Sequence, residues 1–144
     1  YLPGEYVPGS ENRLAVYKRI AQVNSRADRD DLVDEMIDRF GEPPRPAMNL
    51  IEIAYMKSMC KKLGAETLGM NKGQLCLKMS PKANLDLNKL LEALMRNAKT
   101  LTLAAGNPPS ILYRGGSRPQ DELIRLAIPA IEDVVRAVRG EENA

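Results

Sequence analysis

The sequence predicts an α+β fold, with an N-terminal three-helix portion packed on a small antiparallel sheet built from two β-hairpin/α-helix units. Three observations carry that expectation. Apolar residues recur at helical spacing as far as Gly64, and from Thr67 to Met79 they alternate as in strands. Two turn signals, Asn71-Lys72-Gly73 and the GNPPS stretch at 106–110, each sit between short β-prone runs. A chain of 144 residues is also long enough to bury one core without disulfide or metal staples.

Residues 1–9 (YLPGEYVPG) are too rich in Pro and Gly for regular structure, and Tyr1, Leu2, Tyr6 and Val7 make them an extended strap lying on the domain. Ser10 or Asn12 caps a first helix over 11–24, with Leu14, Tyr17, Ile20 and Ala21 inward and Arg13, Lys18 and Arg19 outward. Ser25 followed by Asp28 is a capping-box start for the second helix. In that helix Val33, Met36, Ile37 and Phe40 form the stripe expected to face a core. Gly41 then supplies a positive-φ stop, and Pro43 and Pro44 prevent resumption. Pro44 and Pro46 open a third helix, 47–63, whose apolar residues run almost all round it, as befits a central strut.

The second half reads as hairpin, helix, hairpin, helix. Strands at 67–70 and 74–79 put Leu75, Leu77 and Met79 on one face. Asn84 or Asp86 caps a helix with Leu87, Leu90, Leu91 and Leu94 as its stripe. Strands at 100–104 and 111–114 follow, then a last helix opened by Pro119 that buries Ile124, Ile128, Ile131, Val135 and Val138 and kinks at Pro129 near Arg125. The two hairpins are expected to share a four-stranded sheet with both helices on one face. One domain is therefore expected over 1–144: the strap, a helical half at 10–64, a hairpin–helix half at 65–140 and a frayed tail at 141–144.

Composition narrows function mainly by exclusion. With no histidine and only Cys60 and Cys76, the usual zinc sites and the commonest general base are missing. No phosphate loop, dinucleotide fingerprint or nucleophile elbow occurs, so no catalytic residue, metal site or cofactor site is expected in this segment. The net charge of +2 is too small to imply nucleic acid by itself. Two separated thiols, no long apolar run and no signal segment lead to the expectation of a soluble, cytoplasmic protein that touches no membrane, with Cys60 and Cys76 as buried thiols. A start at Tyr1 rather than Met suggests a piece of a longer polypeptide. The methionines 48, 56, 59, 70 and 79 read as core rather than as an adaptable groove.

The feature that asks for a partner is the second helix, because Asp31, Asp34, Glu35 and Asp38 share a face. Like charges at i and i+4 destabilise a helix by roughly 0.2–0.5 kcal/mol per pair, so a basic partner would relieve a repulsion the chain otherwise tolerates. The bland alternative is a solvated helix face. A rival reading uses Arg13, Lys18, Arg19 and Arg26 as phosphate contacts, which would make the first helix an accessory nucleic-acid module.

Several separated blocks agree in order and spacing with a known pattern: Tyr1-Leu2-Pro3, Tyr6-Val7, Arg13-Leu14, Tyr17-Lys18-Arg19, Glu35 to Gly41 (EMIDRFG) and Lys57 to Gly64. Over these first 64 residues the chain resembles the C-terminal domain of bacterial transcription-repair coupling factors. It departs from the pattern at Met36, where leucine is common, and at Pro8-Gly9, where an acid or amide is expected. The resemblance implies a non-catalytic regulatory domain of an ATP-dependent DNA translocase that removes stalled RNA polymerase and recruits UvrA. It implies that ATP and Mg belong to the parent's motor domains, and that the parent binds UvrA, RNA polymerase and double-stranded DNA. It further implies that this domain contacts the N-terminal UvrB-like module of the same chain and masks UvrA binding. The contact residues it implies are Glu35, Asp38 and Arg39; their neighbours Asp31 and Asp34 are weaker candidates.

Overall fold

The computed structural model describes residues 1–140. The expected tail at 141–144 lies outside the described residues. The chain falls into two compact units, Tyr1–Ser58 and Met59–Ala144.

In the first unit the strap is a tight turn rather than an extended run. The N–H groups of Tyr6 and Val7 both donate to the carbonyl of Pro3 at 3.1 Å. Leu2 and Val7 are buried and Tyr6 half-buried, whereas Tyr1 points into solvent. Helix α1 (Ser10–Ala21) starts at Gly9 with no side-chain cap; neither Ser10 nor Asn12 serves, and the Asn12 amide donates to the carbonyl of Pro8 instead. Its buried residues are Val16 and Ile20, followed inward by Val23. Leu14, Tyr17 and Ala21, expected inside, are exposed. The helix carries two apolar stripes, and the i, i+4, i+7 set of Val16, Ile20 and Val23 is the one that faces protein.

Helix α2 (Arg26–Phe40) begins at the expected Ser25 cap, whose Oγ accepts from the N–H of Asp28, but the box is shifted: the Asp28 carboxylate accepts from the N–H of Asn24, one residue before the cap, and not from that of Ser25. Its inward stripe is centred on Leu32 and Met36, while Val33, Ile37 and Phe40 are only half-buried flanks of it. Gly41 stops it with φ 83°, its N–H bonded to the carbonyl of Ile37 at 2.9 Å, a conformation that favours glycine. Helix α3 (Arg45–Lys62) starts two residues earlier than expected, with Pro46 in its first turn. Within this unit it buries Ala47, Ile51, Tyr55, Met56 and Ser58, and the Arg29 guanidinium of α2 stacks on Tyr55 at 4.6 Å.

In the second unit strands β1 (Ala65–Asn71), β2 (Gln74–Met79), β3 (Leu101–Ala104) and β4 (Ser110–Tyr113) form one antiparallel sheet in the order β1-β2-β4-β3, so the two hairpins are joined through β2 and β4. Lys72 (φ 52°) and Gly73 (φ 80°) give the first turn the two positive φ values that match strand twist. Register places Leu75, Tyr113 and Leu101 in one row and Leu77, Ile111 and Leu103 in the next, and all but Leu103 are buried. Helix α4 (Leu87–Arg96) packs on β3 and on helix α5 (Gln120–Arg139), which in turn packs on β2.

Asp86, not Asn84, caps α4, accepting from the N–H groups of Asn88 and Lys89. The buried side of α4 is Leu90, Ala93 and Leu94. Leu87 and Leu91, expected inside, are exposed, because only one flank of a broad apolar surface is covered. Arg96 and Asn97 tie α4 to Asp133 of α5 at 3.3 and 2.8 Å. In α5 the expected Ile124, Ile128, Ile131 and Val135 are buried, but Val138 is only half-buried. The helix continues across Pro129, which lies on its exposed side. Of the methionines, Met56, Met59 and Met79 are core, Met48 is half-buried and Met70 is exposed. Cys60 is buried and Cys76 half-buried, and neither is in a disulfide.

Candidate interaction face on the acidic helix

The five acidic-helix residues singled out by sequence do not have one fate. Glu35 faces α1, and its two carboxylate oxygens are each taken by an arginine: Arg19 Nη1 donates to Oε1 at 2.5 Å and Arg39 Nη1 to Oε2 at 3.3 Å. The hydrogen bond from Arg19, with help from the Arg39 guanidinium one turn on, holds the Glu35 carboxyl below the usual glutamate range. Arg39 also lies over the Phe40 ring at 4.8 Å. Asp31, Asp34 and Asp38 are exposed, and no ion pair or hydrogen bond engages their side chains among the described residues. The outer ridge of α2 is therefore an unneutralised row of three carboxylates, backed by a Glu35 whose charge is already spent.

The end of this ridge is pinned by the strap. Tyr6 donates from its hydroxyl to the carbonyl of Gly41 at 2.8 Å, and its ring meets Phe40 edge-on with centroids 5.8 Å apart. Burial, then the charge of Glu42, pushes the Tyr6 phenol above its usual value. The strap is itself tied to α1, where the N–H of Leu2 donates to the Tyr17 hydroxyl at 2.6 Å and Arg13 Nη1 donates to the carbonyl of Val7 at 3.1 Å. Two of the four cations read as phosphate contacts, Arg13 and Arg19, are thus engaged within the unit, while Lys18 and Arg26 are exposed.

Sequence reasoning missed the pairing of Arg19 with Glu35 and the bond from Tyr6 to Gly41. Both join residues far apart in the chain, so no local spacing announces them. Between α2 and α3 lies an open cleft of about 490 Å³ lined by Arg29, Asp30, Val33, Asp34, Met48 and Glu52, so Asp34 borders a concave surface as well as the ridge. Among the described residues no group of three or more His, Cys, Asp or Glu side chains is placed to hold a metal ion. No described helix is long and apolar enough to cross a membrane.

The model of the TRCF domain family matches residues 1–90, more than half of the chain, and takes in α1, α2 and the whole acidic ridge. The chain belongs to the TRCF domain family. This TRCF domain is 40% identical over 73 residues, half of the chain, to the transcription-repair-coupling factor of Escherichia coli K12, of which those residues make up 6%. It is 33% identical over 101 residues, 69% of the chain, to the corresponding protein of Rickettsia bellii, of which they make up 9%. The matched stretches make up about a tenth or less of the length of these relatives. A crystal structure of the C-terminal domain of a transcription-repair coupling factor superposes with a TM-score of 0.82 at 21% identity, covering 99% of this chain and 90% of the other. The α+β fold expected from sequence is the fold of that C-terminal domain.

Proposed function

We propose that this TRCF domain is a non-catalytic, autoinhibitory element that docks the ridge of α2 on the N-terminal UvrB-like module of its parent chain and masks UvrA binding. In this reading the parent is a bacterial, cytoplasmic DNA translocase that uses ATP and Mg in its motor domains and acts on stalled RNA polymerase and double-stranded DNA. The observation that carries it is the exposed, unpaired row of Asp31, Asp34 and Asp38 beside a neutralised Glu35. A helix that keeps three like charges at a local cost presents a surface a basic partner would relieve. Arg39 and Asp38 sit at the end held by Tyr6, so a partner would meet groups whose backbone is already fixed.

The contact can be weak. With an effective concentration on the order of 1 mM in the parent, an intrinsic Kd of about 10 μM favours the closed state by roughly 2.7 kcal/mol. That hides a site and still lets it open. The nucleic-acid reading is the poorer fit, since Arg13 and Arg19 are each already held through Nη1, by the carbonyl of Val7 and by Glu35.

The test is a titration of the chain against the UvrB-like module supplied in trans. Replacing Asp31, Asp34 and Asp38 together by Asn is expected to weaken binding about tenfold or more, and added salt to weaken the wild type. Binding unchanged by the triple substitution would reject the ridge as the contact.

A further inference from the structure

Strand β3 is an open edge of the sheet, and the direction of its backbone groups is fixed by its pairing with β4. The N–H of Arg114 donates to the carbonyl of Thr100 at 2.7 Å, so Thr100, Thr102 and Ala104 turn their backbone groups towards β4, and Leu101 and Leu103 turn theirs away. The outward N–H of Leu101 is used by the carbonyl of Asn97, which leaves the carbonyl of Leu101 and both groups of Leu103 without partners among the described residues.

Directly beside this edge α4 is unfinished. Arg96 and Asn97 hold one side of α4 against α5, Leu90 and Leu94 are buried, and the flank away from α5 carries Leu87, Leu91 and Met95 at i, i+4 and i+8. These three are 67%, 45% and 76% exposed, and Leu103 is 38% exposed. Leu87 and Leu103 line one cleft of about 330 Å³ with Leu85, Leu90 and Pro109. A strand laid along β3 would have its inward side chains beside Leu101 and Leu103 and beneath this flank.

We propose that the β3 edge and the Leu87–Leu91–Met95 flank of α4 form a docking site for an extended polypeptide segment with apolar residues at alternate positions and acidic residues at its ends. Backbone pairing to Leu101 and Leu103 supplies the affinity, and the α4 flank selects the alternating side chains. The acidic ends follow from charge. The segments that frame the cleft, 79–85 and 98–110, contain Lys82 and Lys99 and no carboxylate. Of the acids on α4 and its cap, Asp86 is turned to the backbone N–H groups of Asn88 and Lys89, and Glu92 is exposed with Lys89 and Arg96 at i−3 and i+4 on the same helix. Lys82 and Lys99 at a short edge also disfavour pairing with a second copy.

The probe is a synthetic peptide, Asp-Glu-Val-Thr-Val-Thr-Val-Asp-Glu, titrated into the 144-residue chain and followed by fluorescence polarisation and by amide exchange at Leu103. Saturable binding with slowed exchange at Leu103 is expected. Leu103→Pro removes the outward N–H together with the Leu103 side chain at the cleft, and is expected to weaken binding about tenfold; an N-methylated peptide isolates the hydrogen bonds. Leu91→Glu on the α4 flank is expected to do the same without touching the sheet. Should Leu103→Pro fail to fold, a peptide N-methylated at alternate amides tests the same hydrogen bonds on the wild-type chain. The proposal is overturned if the peptide does not bind at about 1 mM, if a scrambled peptide binds equally, or if N-methylation or Leu91→Glu has no effect. Dimerisation of the chain that Leu103→Pro abolishes would also overturn it, in favour of self-association.

Discussion

Replacing Glu35 by Gln separates what this carboxylate does inside the fold from what the ridge does outside it. Its bond to Arg19 is short, but both side chains are more than a third exposed, at 44% and 37%. An exposed pair of that kind contributes about 0.2–1 kcal/mol, and the i, i+4 pair with Arg39 about 0.3–0.5 kcal/mol. Against these stands relief of the Asp31–Glu35 repulsion, roughly 0.2–0.5 kcal/mol. The net expectation is a loss of about 0.6 kcal/mol near neutral pH, within a span of roughly 0–1.3 kcal/mol, or about 2 °C in Tm. Because folding lowers the Glu35 pKa, its contribution is complete above the unfolded-state value and disappears as pH falls through the lower folded-state value. Urea melts of wild type and Glu35→Gln should therefore differ at neutral pH and converge in acid below the ordinary glutamate range, and high salt should narrow the gap. A variant as stable as wild type at neutral pH, or a gap that persists in acid, would refute Glu35 as the tie between α1 and α2.

Tyr6→Phe keeps the ring on Phe40 but loses the 2.8 Å bond to Gly41. A cost of about 0.5–1.5 kcal/mol is expected in thermal melts, with the raised wild-type phenol visible as a late ultraviolet titration. Asp86→Ala removes the acceptor for Asn88 and Lys89, and should cost about 1 kcal/mol by urea melt. Asp34→Asn with Asp38→Asn relieves an i, i+4 repulsion, so the free chain should gain roughly 0.2–0.5 kcal/mol while its affinity for the UvrB-like module falls. Loss of both stability and affinity would make these carboxylates structural.

The hairpins were legible because their signals are local. Alternation at Leu75, Leu77 and Met79 and the turn at Lys72-Gly73 are written within a dozen residues, and the structure follows them closely. Helix faces were harder, for a definite reason. On α1 both Leu14–Tyr17–Ala21 and Val16–Ile20–Val23 are apolar at helical spacing, and only tertiary neighbours decide between them. On α2 the stripe expected at Val33 and Phe40 overlaps the real one at Leu32 and Met36. On α4 the apolar arc is wider than the area covered, so the burial expected of Leu87 and Leu91 fails, because helical spacing does not say which part of the arc a neighbour covers. Of the candidate site, the row of carboxylates was readable from spacing, but the difference between Glu35 and its neighbours depends on Arg19, sixteen residues away on another helix.

That difference bears on why the separated sequence blocks of the chain's first forty-one residues belong together. Tyr6, Arg13, Tyr17, Arg19, Glu35, Phe40 and Gly41 spend their polar groups and rings on one another or on the strap. None of these contacts is strong alone, since most are partly exposed and each is worth on the order of 1 kcal/mol or less. Their common effect is geometric: the strap holds the C-terminal end of α2, and α1 holds its middle through Arg19. Contacts at both places oppose fraying and rolling of the helix, the motions by which the repulsion of Asp31, Asp34 and Asp38 would otherwise be relieved. A ridge that is fixed in place and electrostatically unsatisfied suits an intramolecular contact, because the geometry is set before the partner arrives and the charges give a reversible, salt-sensitive attraction.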